Sequence, residues 1–171
     1  MYRADLHCTI DEPWTTVEAI RVGSFPDRAD LPNAYVTIER DGEPFARLDA
    51  WRPHSGAFEQ VAAWGRFVVL GWSDRVHLVD PITRAVTNIV CDGYFGHLYP
   101  VGDMMLIADA SRLICLDEHA TQIWVSDSLG IDGVVVDEIR DGIVVGIGEW
   151  DPPGGWRPFT LSLSTGKPAT R

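Results

Sequence analysis

The sequence predicts an all-β chain built from consecutive four-stranded antiparallel meanders. Three observations predict it. From Phe58 onward the chain repeats itself at a near-constant interval. Each copy reads as four short β-branched or aliphatic runs separated by Gly, Asp or Pro. No copy holds apolar residues at helical spacing over three turns.

Sliding the chain on itself by 37 residues, without a gap, sets Phe58 on Phe95, Gly65 on Gly102, Arg75 on Arg112 and Asp80 on Asp117. Val61 then meets Leu98, Val69 meets Leu106 and Val86 meets Ile123, so apolar positions fall on apolar positions. The first copy places its strands at about 58–64, 67–72, 75–79 and 85–90. A third copy opens near Gly133, where Val134-Val135-Val136, Asp141-Gly142 and Ile143-Val144-Val145-Gly146 replay the first two strands and their turn. Its second hairpin is lengthened by Trp150–Pro158, ahead of Phe159–Leu163, which matches Arg75–Val79. The repeats are therefore expected over 58–94, 95–132 and 133–171, within one domain spanning 1–171.

Residues 1–57 resemble the repeat only in part. Tyr35–Glu39 and Phe45–Leu48 flank Asp41-Gly42, a strong hairpin signal because both turn positions of a type I′ turn need positive φ. Upstream, Ala4–Ile10 and Val17–Val22 read as two further strands of a divergent N-terminal blade or cap, with a short helix from Thr15 as the alternative. Thr, Val and Ile dominate that segment and favour strand.

Composition bounds the function. A chain of 171 residues can bury about two-thirds of its unfolded surface. With 46% hydrophobic and 23% charged residues it has the mixture of a packed globular domain. Net charge is −11, which repels a nucleic-acid backbone at long range and steers basic proteins inward. Cys8, Cys91 and Cys115 form no close pair, so no disulfide framework or CxxC metal site is expected. With no apolar leader at the N-terminus and no membrane-length apolar run, the expectation is a cytoplasmic protein. Only Lys167 among the 14 basic residues is lysine, a usage that fits a GC-rich bacterial source.

Leu113–Trp124, a strand, an Asp117-containing turn and a strand with Trp, resembles the repeat of quinoprotein-like and WD-repeat β-propellers, and Ser162–Lys167 echoes the same turn. The resemblance covers about residues 58–171. It implies a propeller-like array, three clear blades plus a divergent first one, closed as a four-blade ring or left as an open arc. It implies no particular activity, since propellers host many.

In such blades the loops joining the second and third strands share a face with those joining blade to blade. That would bring together Trp72, Asp74, Asp109, Glu149, Trp150, Asp151, Trp156 and Arg157 with Asp92, Tyr94, Asp127 and Asp132, an acidic face carrying aromatics. Trp and Tyr are favoured interface anchors and a carboxylate rim steers basic partners. The alternative is that Trp72 and Trp150 pack inward and the acids are solvated turn residues.

His7, His54, His77, His97 and His119 lack zinc-ligand spacing. No nucleophile elbow, phosphate loop or paired zinc motif is present, and Asp137-Glu138 with Asp141 sits at an ordinary turn signal. The expectation is a non-enzyme without cofactor or metal. Small size, acidity and a binding scaffold resemble the immunity proteins that neutralise polymorphic bacterial toxins, which implies a basic toxin domain as partner. A small-molecule or sugar-binding module, or a subunit of a larger β assembly, is the alternative.

Overall fold

The computed structural model describes residues 1–23, 31–52 and 58–169. Over these the chain is all-β, with four small sheets and no closed barrel. Among the described residues no helix is long and apolar enough to cross a membrane. The chain separates into two compact units, Met1–Ile89 and Val90–Arg171.

In the first unit, β1 (Tyr2–His7), β2 (Ala19–Gly23), β3 (Ala34–Arg40) and β4 (Glu43–Trp51) form one sheet in the order β1-β3-β4-β2. The segment read as strand or helix is strand from Ala19. Ahead of it lie tight turns closed by Trp14 N–H to Asp11 O and Thr16 N–H to Pro13 O. The divergent first copy differs from a meander in one respect: β2 runs parallel to β4 on the far side of the hairpin. The next sheet, β5 (Glu59–Trp64), β6 (Phe67–Trp72), β7 (Arg75–Val79) and β8 (Val86–Val90), is a meander in chain order. Its strands begin and end within one residue of the sequence expectation.

Period-two alternation builds the core. Ala34, Val36 and Ile38 of β3 and Ala46, Leu48 and Ala50 of β4 are buried and pack with Ile20, Val22, Val68, Leu70, Trp72 and Val79. Central β6 is buried at every residue, which explains its unbroken apolar run.

In the second unit, β9 (Phe95–Val101), β10 (Met104–Asp109), β11 (Leu113–Leu116) and β12 (Gln122–Val125) form another meander. It is followed by the three-stranded β13 (Val134–Arg140), β14 (Ile143–Glu149) and β15 (Trp156–Ser162), with a Leu161–Pro168 bridge beyond. Leu106, Ala108, Leu113 and Cys115 pack with Trp124, Val134, Val136, Val144, Leu161 and Leu163. The Trp124 indole N–H donates to Leu163 O at 2.9 Å. Gly166 makes room for it: a Cβ there would fall 2.4 Å from the ring, at a φ of +66°.

The repeat is physical. Gly65 and Gly102 open matching two-residue turns, both at φ +55°, while Asp41-Gly42 and Asp141-Gly142 have positive φ at both positions. The first pair has the pattern of type II′ and the second that of type I′. Asp80 and Asp117 each accept two backbone N–H bonds from the turn that follows, from Ile82 and Thr83 and from His119 and Thr121. For Asp80, burial raises the carboxyl pKa and the bonds from Thr83 and Ile82 outweigh it, leaving the group below its ordinary value.

The third copy corrects one expected alignment. Val68 pairs with Val79 and Met105 with Leu116, and at the same distance past its turn Val144 pairs with Leu161. Leu161, not Leu163, therefore takes the place of Val79. Ser162 N–H reaches Lys167 O as Asp80 N–H reaches Ala85 O. A two-residue slip keeps every side chain on its own face, so alternation alone does not distinguish the two registers.

Candidate functional site

The second unit gathers most of the expected contact residues. The turn between β12 and β13 is laced to the end of β14: Ile131 N–H donates to Glu149 O at 2.7 Å, and Glu149 N–H to Gly133 O at 2.9 Å. Gly133 N–H donates to Ala110 O at 2.7 Å, tying in the β10–β11 hairpin. Ala110 N–H donates to Asp92 O at 3.3 Å, tying in the segment ahead of β9. Four chain segments thus share one backbone-bonded platform.

On it, the Tyr94 hydroxyl donates to Asp132 O at 2.9 Å and lies 3.3 Å from Asp132 Oδ1. Burial, then the Asp132 charge, push the Tyr94 pKa up, so the phenol keeps its proton as a donor. Trp156, paired with Glu149 across the ladder, lies over Gly133, where an added Cβ would be 3.1 Å from Cη2. The Trp156 side of this platform faces water, the residue being 41% exposed. Glu149 Oε1 accepts Gly154 N–H at 2.6 Å and closes the Trp150–Gly155 loop. The Arg157 guanidinium sits 5.7 Å from the Trp150 ring centroid. Asp151 is exposed.

Two expected contact residues are corrected. Asp109 has a fully buried side chain that accepts from Asp92 N–H, Ser111 N–H and Arg112 N–H and pairs with the Arg112 guanidinium at 3.1 Å. It holds the hairpin shut and touches no solvent. Trp72 is 3% exposed and belongs to the first unit's core, its ring 5.1 Å from that of His77. The alternative that it packs inward is the one the fold adopts. Each occupies the last position of its second strand, and that position is covered.

Asp74, also in the first unit, is half-exposed and 3.5 Å from Arg75. Asp127 is exposed and pairs with Lys167 at 3.4 Å, without a described bond to the platform. His54 lies outside the described residues. Sequence reading missed Arg112, which neutralises Asp109 and lies 3.7 Å from Asp92, and Ile131, an exposed apolar residue beside the acids. The Asp109-x-x-Arg112 spacing was the available signal for the first.

In comparisons with known proteins, the sequence matches no family model and no curated protein.

The segments of the platform carry five carboxylates, Asp92, Asp109, Asp132, Glu149 and Asp151, and two guanidinium groups, Arg112 and Arg157, so the platform is net negative. Exposed Trp156 and Ile131 give it apolar area. Among the described residues no cluster of three or more His, Cys, Asp or Glu is placed to hold a metal ion. Glu138 and Asp141 flank Arg140, at 3.2 and 3.5 Å, and are held as ion pairs.

In the first unit His77 is a buried titratable group. Burial is the largest influence and holds its pKa below the ordinary 6.5. Asn88 and Asp74 oppose that influence and Arg75 adds to it. The unfolded chain therefore binds the proton more readily, and stability should be level above pH 6.5 and fall as pH drops below it. Urea unfolding between pH 5 and 8 should show this slope, at most about 1.4 kcal/mol per pH unit, in the wild type and not in His77→Phe.

Proposed function

We propose that this chain is a propeller-like, non-enzymatic protein-binding module of the bacterial immunity type, acting in the cytoplasm by covering the active site of a basic toxin domain. The observation that carries the reading is Trp156, large, apolar and 41% exposed, set on a rigid backbone-bonded platform among Asp92, Asp132, Glu149 and Asp151. An aromatic anchor with a charged rim is the composition of an interface centre, where the ring supplies buried area and the carboxylates supply steering. The net charge of −11 extends that steering beyond contact distance.

Co-expression with the product of the adjacent gene, followed by pull-down and an activity assay on that product, tests the reading. A stable complex that silences the partner supports it, and a toxin-like neighbour that is neither bound nor inhibited overturns it. Reversing both rim charges, Glu149→Lys with Asp151→Lys, should slow association about tenfold at low salt and flatten its salt dependence, while the dissociation rate changes little. Stopped-flow measurement at several ionic strengths checks this. Unchanged association would place the contact elsewhere.

A further inference from the structure

We propose that the surface around Trp156 receives one arginine side chain of the protein partner, its guanidinium taken between the Trp156 indole and the carboxylates of Asp132 and Glu149. This rests on the protein-binding reading of the platform and names the group the partner must present there.

The side chains converge on one spot. Glu149 and Trp156 are directly opposed on β14 and β15, so both stand on the same face of the sheet, about 5 Å apart at their Cβ atoms. The Cη2–Cζ3 rim of the indole reaches Gly133, where the position of an added Cβ lies 3.1 Å from Cη2 and 3.8 Å from the Tyr94 hydroxyl. Glycine there leaves a notch between the two aromatic residues that any other side chain would fill. Asp132 precedes that glycine, and its Oδ1 is 3.3 Å from the same hydroxyl. Glu149 is held in place by Gly154 N–H, which donates to Oε1 at 2.6 Å. Burial raises the Tyr94 pKa most, and the charges of Asp132 and Glu149 both add to it, so the two carboxylates act on one phenol.

Charge decides the occupant. Among the described residues neither Asp132 nor Glu149 has an ion pair. A partner that covers Trp156, 41% exposed, also takes water from these carboxylates, and a charge buried without a counter-charge is costly. An apolar side chain would leave that cost standing, and an anion would add to it. A metal ion finds no group of three ligands among the described residues. A guanidinium meets both demands at once: its flat face lies against an indole while its N–H groups, directed outward in its plane, reach two carboxylates. A lysine ammonium is a strongly hydrated point charge with no flat face to stack.

The probes are three blocked tripeptides, acetyl-Gly-X-Gly-amide with X as arginine, lysine or citrulline. Each is titrated to about 50 mM into the full chain labelled with ¹⁵N-tryptophan, at constant ionic strength. Citrulline keeps the planar shape and loses the charge. The Trp156 indole signal, assigned by its loss in Trp156→Phe, is expected to shift saturably with the arginine peptide, with a Kd on the order of 10 mM. Lysine and citrulline should bind at least about fivefold more weakly. Asp132→Asn with Glu149→Gln should weaken arginine binding at least about tenfold. Both replacements keep an oxygen to accept the Tyr94 and Gly154 bonds, so the fold is retained. No saturable shift with arginine, equal binding of lysine or citrulline, or arginine binding unchanged in the double variant overturns the proposal. The wild-type titrations decide the matter even if the variant unfolds. A neighbouring toxin that is bound and silenced, while the arginine peptide leaves Trp156 unmoved, removes this inference alone. Arginine binding beside a toxin that is neither bound nor inhibited keeps the arginine site and removes the immunity reading.

Discussion

Asp109→Ala is expected to cost the second unit about 3 kcal/mol, the larger part of what a small β unit has to spare. Truncation removes one acceptor group and leaves three backbone N–H donors, those of Asp92, Ser111 and Arg112, together with a guanidinium that loses its closer carboxylate. The Asp92 N–H bond crosses from the segment ahead of β9 to the β10–β11 hairpin, so the loss also loosens the platform that carries Tyr94 and Trp156. Urea denaturation should show a lower midpoint with an unchanged slope if the loss is one of stability alone. Asp109→Asn should recover part of it, because an amide oxygen still accepts from the backbone. Asp117→Ala is the comparison: its partners His119 N–H and Thr121 N–H are exposed and water replaces the carboxylate, so a much smaller loss is expected. Equal losses in the two variants would contradict the burial argument.

Trp156→Ala is expected to weaken partner binding about 100-fold, on the order of 3 kcal/mol, with the change mainly in the dissociation rate. The ring lies over Gly133 and is solvated on its outer side, so its removal exposes little of the core and the unfolding midpoint should move slightly. Trp156→Phe should restore part of the affinity by keeping an aromatic surface on the same platform. Titration calorimetry of the three proteins against the partner, beside their urea curves, separates loss of contact from loss of fold. A normal affinity for Trp156→Ala would remove the anchor from the proposed interface.

Most of the strand plan was legible in the residues, and the reason is local. Gly65 and Gly102 occupy equivalent turns because a two-residue hairpin needs positive φ at its first position, a demand that composition reveals directly. Alternation in β3 and β4 reports which side is apolar, and the strand ends of the second sheet followed from their Gly, Asp and Pro boundaries. The acidic aromatic surface was half legible. Asp92, Tyr94, Asp132, Glu149, Trp150, Asp151, Trp156 and Arg157 fall in the second unit, and backbone bonds link their segments. Trp72 and Asp109 were misjudged because their side chains end strands whose faces are covered by other parts of the chain.

What the sequence alone determined is the all-β class, the repeat of small sheets of three or four strands and the turns that punctuate it, since these depend on side-chain period two and on φ preferences of single residues. Tertiary structure alone decided the parallel seat of β2, the two-residue placement of β15 and the burial of Asp109 under Arg112. Those features arise from what packs against a face. Local pattern states which way a side chain points, while the solvent, ion or indole it meets there is set by residues distant in the chain.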